Sequence, residues 1–172
     1  MSEDILNPLY WKKRLQQSYK TELHHSIFNC GTERWRKIEE KHREILKKHI
    51  KPHDSIFDAG CGYGRLLTLM PEDWGGWYVG VDISPEFVEM AEKRVGTIAH
   101  HFFVMDLQDL SDIREYKYDL VKFDWAILIS IRPMVIRNLG QAVWDKMEKE
   151  IRSVAKQLMY LEYDPNCEGF IE

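Results

Sequence analysis

The spacing of apolar side chains changes near residue 53. Before it they recur every three or four positions among many Lys and Glu. Trp35, Ile38, His42, Ile45, Leu46 and His49 fall on one face of a helix predicted over Glu33–His49, with Thr32 as its cap. Asn7-Pro8 supplies a cap and first helical residue for an earlier helix, to about Tyr19. Lys51-Pro52-His53-Asp54 breaks the pattern, and short apolar runs then alternate with helical stretches. Strands are predicted at Ser55–Ala59, Tyr78–Ile83, Phe102–Met105, Tyr118–Phe123 and Leu158–Tyr163. Helices are predicted at Arg65–Met70, from Ser84-Pro85 to Val95, and from Met134 to Lys156 with a break at Gly140. Val143, Met147, Ile151 and Val154 form the stripe of the last one. Nearly continuous apolar strands alternating with helices imply an α/β fold with a parallel sheet covered on both faces. Right-handed crossovers then favour a doubly wound sheet of about five strands in the order 3-2-1-4-5.

Length and composition fit this picture without changing it. A chain of 172 residues is expected to form one domain, 1–172. The longest apolar, uncharged run, Trp125–Ile131, is far too short to cross a bilayer, and no secretory signal is read at the N-terminus. Three widely spaced cysteines, Cys30, Cys61 and Cys167, suggest neither a disulfide framework nor a metal site, so a cytoplasmic protein with reduced thiols is expected. Charge is uneven. Residues 1–53 carry 12 Lys and Arg against 7 Asp and Glu; residues 54–172 carry 12 against 21. A basic front on an acidic body can attract an anion, although Lys/Glu-rich helices more often show a solvated face, so nucleic acid is disfavoured as a partner.

The most informative stretch is Ser55–Gly64, Ser-Ile-Phe-Asp-Ala-Gly-Cys-Gly-Tyr-Gly. An apolar strand ends in a carboxylate and then in glycines at alternate positions, an arrangement that lets backbone bend and approach a nucleotide. The dinucleotide fingerprint Gly-x-Gly-x-x-Gly is not met, because the third glycine comes one position early and Arg65 stands in its place. No Gly-Lys-Ser/Thr follows either. In a doubly wound sheet ligands sit at the carboxyl ends of strands, and the predicted strands end on or near Asp58, Asp82, Asp106 and Asp124. Asp82 suits a ribose diol and Asp106 an exocyclic amine such as that of adenine.

These residues resemble the class I, Rossmann-like S-adenosylmethionine-dependent methyltransferases. Phe57–Leu66 looks like that family's first motif, Val79–Ser84 its second, Phe103–Leu107 its third and Tyr118–Trp125 its fourth. The resemblance implies S-adenosylmethionine as cofactor. Asp58 and Gly60, Cys61, Gly62 and Gly64 would hold its methionine part, and Asp82 the ribose. Ile83, Met105, Asp106 and Leu107 would hold the adenine, and Phe123 and Asp124 would line the floor near the sulfonium. Residues 1–53 would form a helical lid over a sheet core of 54–172. Tyr19 would close over the methionine end, and His24, His25 or Asp124 would serve as base for an acceptor that carries a proton. Too few residues follow strand five for the family's last helix and antiparallel hairpin. Its edge is therefore expected to be covered by the C-terminal tail or by a second copy in a homodimer.

The family's Asn/Asp-Pro-Pro-Tyr/Phe motif for base-amine methylation is absent after strand four, where Asp-Trp-Ala-Ile stands. The expected function is methyl transfer to a small molecule. Two alternatives keep the donor but not the chemistry: a lyase or aminopropyl-transfer enzyme, and a non-catalytic binding module.

Overall fold

The computed structural model describes residues 5–18, 32–95, 100–116, 122–162 and 170–171. Helix α1 spans Pro8–Ser18 and α2 Thr32–His49. Strand β1 is Ile56–Ala59, followed by a 3-10 turn at Leu66–Leu69 and β2 at Tyr78–Asp82. Then come α3 (Pro85–Val95), β3 (His100–Val104), α4 (Ser111–Tyr116) and β4 (Phe123–Ile129). Helices α5 (Ile131–Leu139) and α6 (Gln141–Val154) lead into β5 (Ala155–Leu161) and a two-residue β6 (Phe170–Ile171). The predicted punctuation works as capping chemistry. Asn7 Oδ1 accepts from Leu9 N at 3.0 Å, Ser84 Oγ accepts from Phe87 N at 3.4 Å, and Gly140, at φ 91°, separates α5 from α6.

The sheet runs β3-β2-β1-β4-β5-β6. The first five strands are parallel, and β6 pairs antiparallel with β5 at Met159 and Tyr160. The chain's own tail therefore covers part of the edge that was expected to need a cover.

Side chains alternate across the sheet and make two cores. Phe57, Val79, Val81, Leu128, Leu158 and Tyr160 pack with Trp144, Met147, Ile151 and Val154 of α6. Trp144 takes the position in this stripe that the sequence pattern assigns to Val143, which is only partly buried. On the other face Ile56, Tyr78, Trp125, Ile127, Met159 and Leu161 pack with Ile45, Leu46 and Ile50 from α2 and its end. Helix α2 thus covers a sheet face rather than the carboxyl edge. Helix α1 reaches that edge, where Leu15 joins Tyr63 and Phe87.

Strand four corrects the sequence reading. It was expected at Tyr118–Phe123 with Asp124 at its carboxyl end, but it begins at Phe123 and runs to Ile129. A buried parallel strand reads as an unbroken apolar run, and Trp125–Ile129 is that run. Asp124 and Phe123 therefore stand at the amino edge, opposite the ligand side. Smaller shifts affect β3, which starts two residues earlier than predicted, and α4, which was not foreseen.

Candidate active site at the carboxyl edge

Strand order reverses at β1, whose neighbours β2 and β4 lead away to opposite halves of the sheet. The glycine loop lies at this point. Gly60, Gly62 and Gly64 have φ of 79°, 52° and 75°, conformations that L side chains rarely adopt. Gly60 N and Cys61 N both donate to Val81 O at 2.9 Å, which ties the loop to β2. A Cβ at Gly60 would stand 2.5 Å from Ile131 Cδ1, so the loop also lies tight against the exit of β4.

Two carboxylates face this loop. Asp82 accepts from Gly62 N and Ser84 N, each at 2.9 Å and each on a different oxygen. Burial raises its carboxyl to about 6, against the pull of those two N–H groups. Each oxygen keeps a lone pair for a ligand hydroxyl. Asp58 is only 2% exposed and accepts from Tyr78 Oη at 2.5 Å. Burial raises it to about 7; the Tyr78 hydroxyl and Arg65 oppose the rise, and Asp82 adds to it. Burial also pushes the Cys61 thiol up, which keeps it protonated and unreactive.

Arg65 has a structural task. Its guanidinium lies 4.3 Å from the ring centre of Trp35, and its Nε is 3.7 Å from a Glu39 carboxylate oxygen. Its Nη2 donates to His42 Nδ1 at 2.7 Å. A guanidinium accepts nothing, so Nδ1 is the acceptor and His42 Nε2–H donates to Glu162 O at 2.9 Å. Burial lowers His42 to about 4, and the charge of Arg65 acts the same way, so the ring is neutral near pH 7. This chain of contacts fastens the glycine loop to α2 and to the end of β5.

A cavity of about 390 Å³ opens at this edge. Asp58, Gly60, Cys61, Gly62 and Asp82 line it together with Tyr10, Trp11 and Arg14 from α1, Ser130 after β4, and Arg137 and Asn138 of α5. A slot of about 60 Å³ adjoins it and shares Gly60 and Asp82. Ile83, Met105, Asp106 and Leu107 line the slot on one side, and Ile131 and Met134 on the other. Asp106 is held open-sided by Gln108, whose N and Nε2 donate to it at 2.8 and 3.1 Å.

The structure thus brings nine of the sequence-selected residues to two adjoining spaces. Gly64 completes the loop but lines neither. Tyr19, His24 and His25 lie outside the described residues. Asp124 and Phe123 are elsewhere. Asp124 accepts from Ser55 N, Ser55 Oγ and Lys156 Nζ at the amino edge, and Phe123 is fully buried beside Phe57. Trp125 is core, with its indole N–H donated to Asp54.

Sequence reasoning did not select Ser130, Arg137 or Asn138. Ser130 has φ 56° and ψ 21°, the one positive φ outside glycine among the described residues, a strain of about 1–3 kcal/mol. Its N–H donates to Leu161 O at 2.8 Å, which holds the turn. The signal was present: Ser-Ile-Arg-Pro after an apolar run marks a strand end and a helix start.

The chemistry of the donor set fits S-adenosylmethionine. A two-oxygen acceptor adjoins a slot lined mostly by apolar side chains with Asp106 among them, groups that suit a ribose and an adenine. A buried carboxyl that no side-chain cation bonds directly suits a ligand that carries an ammonium and a sulfonium. Residues 56–157 match the family described as a methyltransferase domain. The chain belongs to that family. Its relatives include the cyclopropane-fatty-acyl-phospholipid synthase of Escherichia coli K12, 35% identical over 66 residues, which are 38% of this chain and 17% of that enzyme. Among solved structures, a protein from Pyrococcus horikoshii OT3 superposes with a TM-score of 0.61 at 24% identity, covering 84% of this chain and 64% of that one. Magnesium protoporphyrin IX methyltransferase from Synechocystis, with bound S-adenosylhomocysteine, superposes at 0.55 with 19% identity, over 87% and 65%. These neighbours share the Rossmann-like fold, and the family points to S-adenosylmethionine as the cofactor of this domain. No helix among the described residues is long and apolar enough to cross a membrane.

Proposed function

We propose that the chain transfers a methyl group from S-adenosylmethionine to a small-molecule acceptor. The observation that carries this reading is the division of the site into a small, mostly apolar slot and a larger chamber that meet at Gly60 and Asp82. In this reading adenine would enter at the slot, the ribose would meet Asp82, and the methionine part would follow the glycine loop toward Asp58. The donor supplies an activated methyl carbon. The protein's work is alignment and exclusion of water. Ile131 holds the loop from the β4 side, and Tyr10 and Trp11, packed edge-on with ring centres 4.9 Å apart, wall the chamber.

A chamber of about 390 Å³ walled on one side by α1 favours a compact acceptor over a polymer. The named relatives act on different acceptors, a lipid in one case and a porphyrin in another, so the acceptor is read from the chamber alone. The test uses methyl-labelled S-adenosylmethionine and a cell extract split by size. Label in the small-molecule fraction with release of S-adenosylhomocysteine is expected. Label confined to protein or nucleic acid would overturn the choice of acceptor. Loss of S-adenosylmethionine to a different product, without label transfer, would favour lyase or aminopropyl chemistry.

A further inference from the structure

We propose that Arg65 is a positioning residue for the methyl donor, and that through it helix α2, which lines neither space, sets how tightly the glycine loop and Asp58 hold the methionine part. This rests on the reading of the site as a methyl-donor site and adds the part of the fold that tunes it from outside.

Arg65 follows Gly64 directly and is only 4% exposed, yet it lines the chamber. Fastening the loop to α2 does not require it. Leu66 and Leu69, which come next, already share a core with Ile45 and Leu46 of that helix. An apolar side chain at 65 would extend that core. A buried guanidinium costs free energy even when partnered, and exchange of buried charges for apolar groups is often neutral or stabilising. Stability alone therefore gives no reason for a charge at this position. The reason lies in the cavity, where the buried carboxyls of Asp58 and Asp82 line the same chamber. Tyr78 and Asp82 of β2 act on Asp58, as do Cys61 and Arg65 of the loop, and among these Arg65 carries the positive charge. It opposes the rise that burial imposes on Asp58 and so favours a carboxylate for the donor's ammonium. Arg14 and Arg137 line the chamber from α1 and α5.

The other half of the device is on α2. Trp35, Glu39 and His42 recur at the spacing that brings residues to one face of a helix. Each meets a different part of the guanidinium. The Trp35 ring centre lies 4.3 Å from its central carbon, Glu39 Oε1 lies 3.7 Å from Nε, and His42 Nδ1 accepts from Nη2 at 2.7 Å. A planar fork answers all three at once, whereas a lysine ammonium is a point charge on a flexible stem. His42 can accept only while Nδ1 carries no proton. Its other nitrogen is committed to Glu162 O at 2.9 Å, and burial holds the ring's titration at about 4. The ring therefore stays neutral across the range in which Asp82 and Asp58 lose their protons, about 6 and about 7. Over that range the grip on Arg65 is constant, and a pH dependence of donor binding reports the carboxyls.

Calorimetry with S-adenosylhomocysteine on the full chain, run from about pH 5.5 to 7.5, tests this. Arg65→Gln should weaken binding at the upper end by about tenfold. It should also move the upper part of the affinity profile to higher pH, because Asp58 loses the charge that opposes its protonation. Arg65→Lys keeps the charge and loses the fork. Its profile should stay at the wild-type position, with affinity lower by about threefold. His42→Phe should weaken binding by about threefold as well, although His42 lines neither space. Ile45→Val, which thins the packing of α2 on the sheet, should lower the urea midpoint and leave affinity and profile unchanged. Wild-type affinity and profile in Arg65→Gln would show that the arginine serves the scaffold alone. A Lys variant whose profile moves as the Gln variant's does, or an Ile45→Val variant that binds as weakly as His42→Phe, would also overturn the proposal. Where Arg65→Gln does not fold, the Lys and His42→Phe variants decide the matter. Binding that is indifferent to Arg65 and His42 sinks this inference and spares the donor reading. A wild-type chain that does not bind S-adenosylhomocysteine sinks the donor reading itself.

Discussion

Asp82 and Asp124 are both strand-terminal carboxylates on neighbouring parts of one sheet, yet their surroundings differ in kind. Asp124 lies at the amino edge with three donors, Ser55 N at 2.9 Å, Ser55 Oγ at 2.8 Å and Lys156 Nζ at 2.7 Å. Burial works against its charge, but these bonds win and hold its carboxyl below the usual range. Asp82, at the carboxyl edge, has two backbone N–H groups and no cation, and burial wins there. Asp58 repeats the pattern with a tyrosine hydroxyl as its donor. A carboxylate supplied with all its partners by the fold belongs to the scaffold. One left short of positive charge in a cavity is prepared for a cationic ligand.

The largest effect that separates the two edges is on donor binding. Asp82→Ala should weaken S-adenosylhomocysteine by about 1.5–3 kcal/mol, the worth of hydrogen bonds to a charged group. Calorimetry showing unchanged affinity would mean the ribose lies elsewhere. Asp124→Ala should leave that affinity unchanged and cost about 1–2 kcal/mol of stability, because Ser55 and Lys156 lose their acceptor. Denaturant unfolding measures the second quantity. A variant at Asp124 that binds poorly while folding normally would erase the distinction between the edges.

The same contrast explains what the sequence could reveal. The loop Gly60–Gly64, Asp82 and the Ile83/Asp106/Leu107 group were legible because a glycine conformation and a strand-end carboxylate follow from local rules. Sheet order followed from the strand–helix alternation. The exit of β4 was not legible from its carboxylates. Asp119 and Asp124 flank an apolar stretch, and a carboxylate was taken to mark the ligand edge, whereas this strand delivers Ile129, Ser130 and Ile131 there. Arg65 also reads locally as the residue that breaks a dinucleotide fingerprint. Its partners, Glu39, His42 and Trp35, are brought to it only by the docking of α2. Arg14 of α1 and Arg137 and Asn138 of α5 line one cavity only because of the tertiary fold, and they carry no local mark.

Acidity provides a finer test. Unliganded, Asp58 and Asp82 hold protons up to about pH 7 and 6, where the unfolded chain has lost them near its ordinary 3.8. Stability of the unliganded protein from these groups therefore falls as pH rises from about 4 to 7. His42, lowered to about 4 from 6.5, acts oppositely between those values, across most of that range. Donor binding separates them, since His42 faces Arg65 and Glu162 rather than the ribose. A ligand bearing an ammonium favours both carboxylates ionised. Affinity for S-adenosylhomocysteine should therefore rise between pH 5.5 and 7.5, with protons released on binding. A flat profile would show that neither carboxyl titrates in the free site.

Tyr78→Phe is the smallest and most local of these tests. The Tyr78 hydroxyl donates to Asp58 at 2.5 Å and stabilises its charged form. Removing it leaves the ring and its packing on Phe102 and His100, with ring centres 5.6 and 5.5 Å away. Asp58 should then titrate higher, and the upper part of the binding profile should move up by about half to one pH unit, near 1 kcal/mol. Asp82, which Tyr78 does not touch, should keep the lower part in place. A profile that moves as a whole would mean that the two carboxylates titrate as one coupled pair. One that does not move would show that the tyrosine serves packing alone, and Asp58 would then rest on burial and Arg65.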